Sequence, residues 1–213
     1  MASQERRQRG RPREFDRQQA LCAALAVFWK HGYSETTMRM LSKAMGIGSP
    51  SIYCAFGNKA ELFIEALKYY RQTYWQPLFD QLLAEKDIYG ATLEFFDSSA
   101  RALLCATAPC GCLTVRAAMC VPENEPEIAA TLEAMRLDTA VMFRKRIIIS
   151  IESGQLPQDC NVPAIAGALT NFFEGLALQA SERYCQAELI QIARQGVRLL
   201  PDPASCKHTS PAF

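Results

Sequence analysis

The sequence predicts an all-α protein, with a small N-terminal helical unit and a larger helical body, and about nine helices in all. Three observations lead to this fold class. Apolar residues recur three or four positions apart through most of the chain, which is the period of an amphipathic helix. Capping residues (Ser, Thr, Asp or Asn) precede these segments, and glycines follow several of them. No stretch alternates apolar and polar residues as a half-buried strand would.

The composition is that of a soluble globular protein. The 213 residues suffice for one large domain or for a small and a larger one, and 49% are apolar while 21% are charged. We find no apolar run long enough to cross a membrane and no secretory signal at the charged N-terminus. We therefore expect a cytoplasmic protein with no membrane partner. The nine cysteines, an odd number, are then expected to be mostly free thiols.

The first helix is predicted to follow a flexible basic arm, residues 1–14. Asp16 caps the helix, with Gln19 completing a capping-box pattern, and Gly32 ends it. His31, in the last turn, favours the helix dipole and is not expected to bind a metal. The apolar stripe of this helix consists of Leu21, Ala24, Leu25 and Phe28.

Two short helices follow, joined by a tight turn. Thr36 or Thr37 caps the first of them, MRMLSKAM, and Gly46 stops it. The second lies in SPSIYCAFGNK, where only Ile52 and Phe56 share an apolar face, so its remaining side chains are predicted to be exposed. Two helices joined in this way form a helix-turn-helix, whose second helix enters the major groove of DNA.

The remainder reads as helices and turns. Asn58 caps a long fourth helix that Pro77 should kink or end. The later segments are a helix over 88–107, a short apolar segment over 110–120, a long helix from near Pro126 to about Ser153, a helix over 162–184, and a last helix in AELIQIARQGVRLL. We divide the chain into the arm (1–14), a helix-turn-helix domain (15–59), a ligand-binding and dimerisation domain (60–200) and a disordered tail (201–213).

Charge is distributed unevenly along the chain. Residues 1–59 hold ten lysines and arginines against four acids, a net charge of +6. Because the whole chain carries +1, residues 60–213 carry −5. A basic end on an acidic body indicates a polyanionic partner at that end, and the alternative is a solvated arm that aids solubility.

Residues 28–63, FWKHGYSETTMRMLSKAMGIGSPSIYCAFGNKAELF, resemble the tetracycline-repressor (TetR) family of bacterial regulators. They share its Gly-Tyr after the first helix, its Thr-Thr cap, its Ala-x-Gly turn and its Tyr-x-x-Phe-x-x-Lys motif, and they depart from it at Ala55, where many members carry an aromatic residue. The body matches in helix layout and in Gly111-Cys112-Leu113. That motif resembles the branch that includes the repressor of N-ethylmaleimide reductase.

The resemblance implies roles in binding double-stranded operator DNA. Tyr53 and Lys59 would contact phosphates, which hold the register without reading sequence. Base edges would be met by Ser49, Pro50, Ser51 and Cys54. Further DNA contacts are expected from Thr37 and Arg39 on the second helix and from Arg11 and Arg13 in the arm. The alternatives are a cap or turn role for the serines and a solvated arm.

The resemblance also implies a homodimer and a small-molecule effector. Two apolar faces on the last helix predict a second subunit against the last two helices, with Phe173, Leu176 and Val197 in the interface. An aromatic-lined cleft would hold the effector. Its candidate lining residues are Phe63, Tyr70, Tyr74, Phe96, Cys112, Arg116, Phe143 and Phe172, for most of which an ordinary core position is the alternative.

Four cysteines cluster at Cys105, Cys110, Cys112 and Cys120. Three interpretations remain open: small buried thiols used for packing, a thiol that senses electrophiles, and a soft-metal site. The spacing does not match a zinc ribbon, and no histidine lies near. Arg116, one turn from Cys112 on a helix, would favour the thiolate form.

We therefore predict a DNA-binding transcriptional repressor that a small apolar or thiol-reactive compound releases from its operator. The alternatives are a thiol-dependent enzyme and a helical adaptor without a role on DNA. Catalysis needs a nucleophile beside a base, and the two histidines lie in the first helix and the tail. We expect no enzymatic activity, catalytic residue, metal or cofactor.

Overall fold

The computed structural model describes residues 15–104, 110–181 and 185–202, and these residues are helical without any strand. The helices are α1 (Arg17–Glu35), α2 (Met38–Met45), α3 (Ser49–Phe56), α4 (Lys59–Tyr70), α5 (Gln76–Ala84), α6 (Ile88–Leu103), α7 (Leu113–Ala118), α8 (Pro126–Glu152), α9 (Val162–Gln179) and α10 (Gln186–Ala193). A π-helical turn joins α4 to α5, so the described residues form nine continuous helices, as predicted. The arm with Arg11 and Arg13, Cys105 and most of the tail lie outside the described residues.

Asp16 and Thr37 cap the N-terminal unit as the sequence predicts, but the reciprocal bond from Gln19 that would complete a capping box at Asp16 is not formed. The Asp16 carboxylate accepts hydrogen bonds from the backbone N–H groups of Gln18 and Gln19, and the Thr37 hydroxyl accepts one from that of Met40. Gly32 breaks α1 at a φ of 75°, and Gly46 ends α2 at a φ of 68°, both in the left-handed region that favours glycine. The core of this unit is formed by Leu21, Ala24, Leu25, Phe28, Leu41 and Ile52.

Pro77 does not end the fourth helix. The chain instead widens into a π-helical turn over Arg71–Trp75 and continues as α5, with Pro77 in its first turn. Proline has no N–H, and its ring would clash with the carbonyl four residues earlier, so a wider turn just before it relieves both problems. The N-terminus of α4 carries the predicted Asn58 cap, closed into a capping box by Glu61.

The body is held by aromatic packing between α5, α6, α8 and α9. The Phe79 ring lies 4.9 Å from Phe95 and 5.8 Å from Phe143, and Phe95 lies 5.8 Å from Phe173, measured between ring centroids. Arg146 is buried in α8 and donates to the carbonyls of Glu85 and Lys86, beyond the end of α5. It therefore satisfies backbone groups that would otherwise lack partners.

Three predicted helix ends are too late. The helix predicted over 88–107 ends at Leu103, and the helix predicted over 162–184 ends at Gln179. The last helix narrows at Arg194 into a 3-10 turn that runs to Leu199, with Gly196 against the Phe96 and Phe172 rings. A side chain at Gly196 would collide with both rings, so a glycine allows this close approach. Within the described ranges, no helix is long and apolar enough to cross a membrane.

Candidate DNA interface and effector cavity

Helix α3 buries one face and exposes the other. Ile52 and Phe56 lie in the core at 0% and 5% exposure, as their i and i+4 spacing predicts. Ser51, Tyr53 and Cys54 point outward, and Tyr53 is 53% exposed. A polar face carrying a hydroxyl, a phenol and a thiol is therefore presented on a helix that the core holds rigidly from behind.

The predicted DNA-contacting residues next to α3 differ in whether their side chains are already engaged. Gly48 is the N-cap and no side chain caps this helix, so the Ser49 hydroxyl does not make the capping bond that the sequence left open. Pro50 is exposed in the first turn of α3, and Arg39 is exposed on α2. The Thr37 side chain serves as the cap of α2, so its hydroxyl is already engaged.

Lys59 begins α4, and its ammonium lies over the ring of Tyr33, 4.3 Å from the centroid. Tyr33 in turn donates a hydrogen bond of 2.6 Å from its hydroxyl to the Oε1 atom of Glu125, just before α8. Burial lowers the pKa of Lys59, while the charges of Glu125 and Glu35 act in the opposite direction. Burial, and then the bond and charge of Glu125, raise the pKa of Tyr33.

A cavity of about 340 Å³ lies within the body, bounded by the π-helical turn after α4 and by α7, α8 and α9. Its volume is at the lower end of small-molecule sites. Apolar side chains form most of its wall, and the wall residues include Trp75, Val115, Ala118, Met119, Val121, Leu132, Met135 and Phe173.

Charged and hydroxyl groups reach the same cavity. Arg71 is held by the Met135 carbonyl (3.3 Å) and the Thr139 hydroxyl (2.7 Å), both through Nη1, and burial lowers its pKa. Glu174 lines the same cavity, and burial raises its pKa, while the charge of Arg136 acts in the opposite direction. Glu133 and Arg136 form an exposed ion pair of 2.8 Å that also borders the space.

The predicted effector residues do not line this cavity. Phe63, Tyr70, Phe96, Cys112 and Phe143 are all core residues at 1% exposure or less. Tyr74 is 38% exposed with its ring edge-on to Trp29, and Phe172 packs edge-on against Phe96. Periodicity marks apolar faces but does not say which of them remain unfilled, so a role of these residues in binding an effector stays a prediction.

A second cavity of about 250 Å³ separates the N-terminal unit from the body. Phe63 and Arg116 line it, together with Trp29, Tyr33, Cys120 and Val121. The Trp29 indole donates to the Gly111 carbonyl (3.2 Å), and the Arg116 guanidinium donates to the Trp29 carbonyl (3.4 Å). Trp29, near the end of α1, thus donates one hydrogen bond to Gly111, just before α7, and accepts another from Arg116 within α7.

Cys112 is buried behind the wall of the larger cavity. Its Sγ lies 3.0 Å from the Thr114 hydroxyl, and the Tyr70 hydroxyl donates to the same sulfur at 3.4 Å. Arg116 is one turn away, as predicted, but its guanidinium donates to Trp29. The support of a Cys112 thiolate by Arg116 therefore stays a prediction.

The thiols of the predicted cluster differ in exposure: Cys112 is buried, and Cys105 lies outside the described residues. Cys110 and Cys120 are exposed free thiols. In the part of the chain that the structure describes, no three His, Cys, Asp or Glu residues come close enough to hold a metal ion.

The predicted dimer residues divide into two groups. Phe173 and Leu176 are buried in the protomer, where Phe173 packs edge-on against Trp75, so a second subunit cannot reach them. Val197 is half-buried near the surface. The outward face of α9 is instead made of small or polar residues, namely Ala164, Ala168, Asn171 and Gly175. An exposed apolar stripe lies on α8 instead, at Leu137, Val141 and Ile148.

Known proteins are similar both to the N-terminal unit and to most of the chain. The model of "Bacterial regulatory proteins, tetR family" matches residues 20–66, which span α1 to α4. The transcriptional repressor ComR of Escherichia coli K12 is 29% identical over 198 residues, covering 92% of this chain and 94% of ComR.

Two solved structures extend the likeness over the body. The regulator CifR, in a cysteine mutant complexed with a 26-base-pair operator duplex, is 31% identical with a TM-score of 0.85, covering 90% of this chain and 100% of that one. Reduced NemR of E. coli has a TM-score of 0.71 at 19% identity, covering 88% and 97% of the two chains. That likeness is one of fold, so the branch suggested by Gly-Cys-Leu stays a prediction. Since CifR matches along its whole length and the helix-turn-helix and body have the same layout, the chain belongs to the TetR family of bacterial transcriptional regulators.

Proposed function

We propose that this protein is a homodimeric repressor that binds operator DNA through α3 and leaves it when a small molecule occupies the body. The observation that carries the proposal is the exposed polar face of α3 on a buried apolar back, following α2 across the Gly46 turn. CifR, which shares the fold and 31% of its sequence, has been solved on operator DNA. As a regulator acting on bacterial DNA, the protein would work in the cytoplasm, without enzymatic activity.

The exposed side chains of α3 suit two kinds of DNA contact. Tyr53 lies in α3 and Lys59 begins α4, and both are suited to phosphates, which fix register. Ser51 and Cys54 face outward on α3, where a hydroxyl and a thiol would meet base edges in the major groove. Pro50 would pack against a thymine methyl.

The first test is the salt dependence of binding to DNA from immediately upstream of the gene. If a dimer neutralises about six to ten phosphates, affinity should fall about 10³- to 10⁵-fold between about 50 and 200 mM salt. Fluorescence anisotropy with a labelled duplex measures this slope. An affinity that does not change with salt concentration would contradict the proposed DNA-binding function.

Two substitutions separate the proposed roles. Lys59→Ala should weaken binding to every duplex alike and reduce the salt slope, since a phosphate contact carries no sequence information. Ser51→Ala should mainly reduce the difference in binding free energy between operator and unrelated DNA. The reduction should be about 1–3 kcal/mol if the hydroxyl contacts a base edge. Equal effects of both variants on specificity would contradict these roles.

The cavity indicates a small, largely apolar effector with one polar end. Its wall is mostly aliphatic and aromatic, and Arg71 and Glu174 supply polar groups at fixed positions. Binding would shift the population towards a spacing of the two α3 helices that does not match the operator. A thermal-shift screen of small aromatic and aliphatic acids and amines tests this. True ligands should lose their effect in Ala129→Trp, which fills the space from α8.

A thiol-reactive effector is a second candidate, favoured by Cys112. Its sulfur contacts the hydroxyl of Thr114, and Thr114 also lines the cavity, so one side chain separates the thiol from a bound electrophile. With N-ethylmaleimide, sulfur would add to the carbon–carbon double bond, and the thiol proton would end on the neighbouring carbon. The added bulk in a packed body would force a rearrangement.

The test is a titration of two proteins, one that keeps Cys112 and one with Cys112→Ser, with N-ethylmaleimide, followed by DNA binding and mass spectrometry. Both proteins also carry Cys54→Ser, because N-ethylmaleimide would otherwise alkylate this exposed thiol on α3. The protein that keeps Cys112 should leave DNA as Cys112 is alkylated, while Cys112→Ser should stay bound. If the protein that keeps Cys112 stays bound with Cys112 alkylated, the sensing role fails. If Cys112 is not alkylated in the folded protein, it is a packing residue and the effector binds without a covalent bond.

A further inference from the structure

The segment between α7 and α8 contacts both the effector cavity and the N-terminal unit. Met119 and Val121 line the 340 Å³ cavity, and Val121 also lines the cavity at the domain junction. Four residues later, the Glu125 carboxylate accepts the 2.6 Å hydrogen bond from the Tyr33 hydroxyl. Residues 119–125 therefore form a short path from the cavity wall to the turn that follows Gly32.

Tyr33 connects that path to Lys59. The ammonium of Lys59 lies 4.3 Å from the ring centroid of Tyr33, within the range of a cation–π contact. The ring itself is packed 5.1 Å from Phe63 and 6.5 Å from Phe28, so it has few alternative positions while its hydroxyl is bonded. A lysine has four rotatable side-chain bonds, and a ring fixed beneath its end restricts where the charge can be placed.

We propose that Tyr33 and Glu125 are positioning residues for DNA binding, and that the Tyr33–Glu125 hydrogen bond transmits the state of the effector cavity to Lys59. The inference rests on the proposed function, in which Lys59 contacts a phosphate. A ligand that moves Met119 or Val121 also moves the backbone leading to Glu125, and a short hydrogen bond is either kept or broken by such a shift. When the Tyr33–Glu125 bond breaks, the Tyr33 ring can move, and the Lys59 ammonium is no longer held in one position.

The direction of the electrostatic effect is also set by the structure. Glu125 and Glu35 both lie near enough for their charges to act on Lys59. Removing an acid from this region by itself makes the DNA-facing surface more positive and strengthens DNA binding at every sequence. A loss of affinity on removing Glu125 therefore cannot come from its charge and reports its contact with Tyr33.

Three variants isolate that contact. Tyr33→Phe keeps the ring but removes the hydroxyl, and Glu125→Ala removes the acceptor. Glu127→Ala is the matched control, because Glu127 is an exposed acid two positions away in the first turn of α8. Binding is measured by anisotropy on a fluorescein-labelled duplex from the upstream DNA, with circular dichroism to check the fold.

We expect Tyr33→Phe and Glu125→Ala each to weaken binding about 3- to 10-fold relative to Glu127→Ala. The double variant should bind DNA no more weakly than whichever single variant binds more weakly, because both substitutions break the same Tyr33–Glu125 hydrogen bond. Additive losses, or affinities equal to that of Glu127→Ala, overturn the proposal. If wild type itself fails to bind DNA in a salt-dependent manner, the proposed function fails instead.

A second readout does not depend on DNA. In free protein, the ring current of Tyr33 should shift the NMR signals of the Lys59 side chain, which are identified by their absence in Lys59→Ala. The shift should shrink in Tyr33→Phe and Glu125→Ala and remain in Glu127→Ala. An unchanged shift in both test variants means that Glu125 does not position the ring, and the proposal falls.

Discussion

Replacing Gly111 by alanine tests the junction between the two parts of the molecule. Gly111 has a φ of +84°, and a Cβ atom there would lie 2.0 Å from Ser181 Oγ, 3.2 Å from Ser181 Cβ and 3.5 Å from the Ala177 carbonyl. Its own carbonyl accepts the bond from the Trp29 indole. The substitution therefore strains the backbone and presses α7 away from α9 at a point where α1 is attached.

The cost of the substitution has two parts. An L-residue in the left-handed region costs about 1–2 kcal/mol. Ser181 can turn its hydroxyl away at little cost, since that group makes only a 3.5 Å contact with the Ala177 carbonyl. Its Cβ cannot turn away, so backbone must shift, which costs about 1–3 kcal/mol in a packed region. Gly111→Ala should thus lower the free energy of unfolding by about 2–5 kcal/mol.

Gly154→Ala is the matched control. Gly154 has a φ of +75°, but no neighbouring atom lies within 4 Å of the place that a Cβ atom would take, so its cost should be the backbone part alone, about 1–2 kcal/mol. Ser181→Gly removes the opposing side chain, so Gly111→Ala should cost about as little as Gly154→Ala in that background. Urea unfolding followed by circular dichroism, at one protein concentration, gives each free energy.

The result that would refute this reasoning is equal destabilisation by Gly111→Ala and Gly154→Ala. The chain would then accommodate the methyl group without moving α7, and the contact between Gly111 and Ser181 would not constrain the junction. A large cost of Gly111→Ala that persists in the Ser181→Gly background would show that the cost does not come from the contact with Ser181.

Two further predictions concern the body. Ala168→Glu and Val197→Glu should each convert the dimer to monomers, because each places a charge on the predicted α9–α10 interface. Sedimentation measures this. If only Ile148→Glu dissociates the dimer, the interface lies on α8 and the prediction is wrong. Since burial raises the pKa of Glu174 above its ordinary 4.5, its charged form destabilises the native state once the pH exceeds the folded pKa. Glu174→Gln should therefore raise the urea midpoint near about pH 8 and leave it almost unchanged near about pH 3, and an equal effect at both would contradict the burial of a charge.

Helix starts and turns were predictable because they depend on a few neighbouring residues. Asp16, Thr37 and Asn58 each accept hydrogen bonds from backbone N–H groups within three residues, so their roles are visible in the sequence. Gly32 and Gly46 take up left-handed conformations that other residues rarely adopt. The true end of α6 was missed because apolar residues continue past it, and that of α9 because no glycine or proline follows it closely.

The exposed face of α3 was predictable for the same local reason. Ile52 and Phe56 are the two apolar residues one turn apart, so the opposite side had to remain outside. The Lys59 environment was not predictable, because Tyr33 and Glu125 are 92 positions apart and no periodic pattern relates them. Only the packing of α8 against the N-terminal unit brings the two together.

The sequence by itself thus determined the helices, their caps and the helix-turn-helix, all of which follow from interactions within a few residues. The tertiary structure decided which apolar side chains fill the core and which border a cavity. Phe172 and Phe173 are chemically identical neighbours about 100° apart on α9, yet Phe173 borders the cavity while Phe172 packs against Phe96. That choice depends on the rotation of α9 against α6 and α8, which is set by long-range packing that an amphipathic period does not encode.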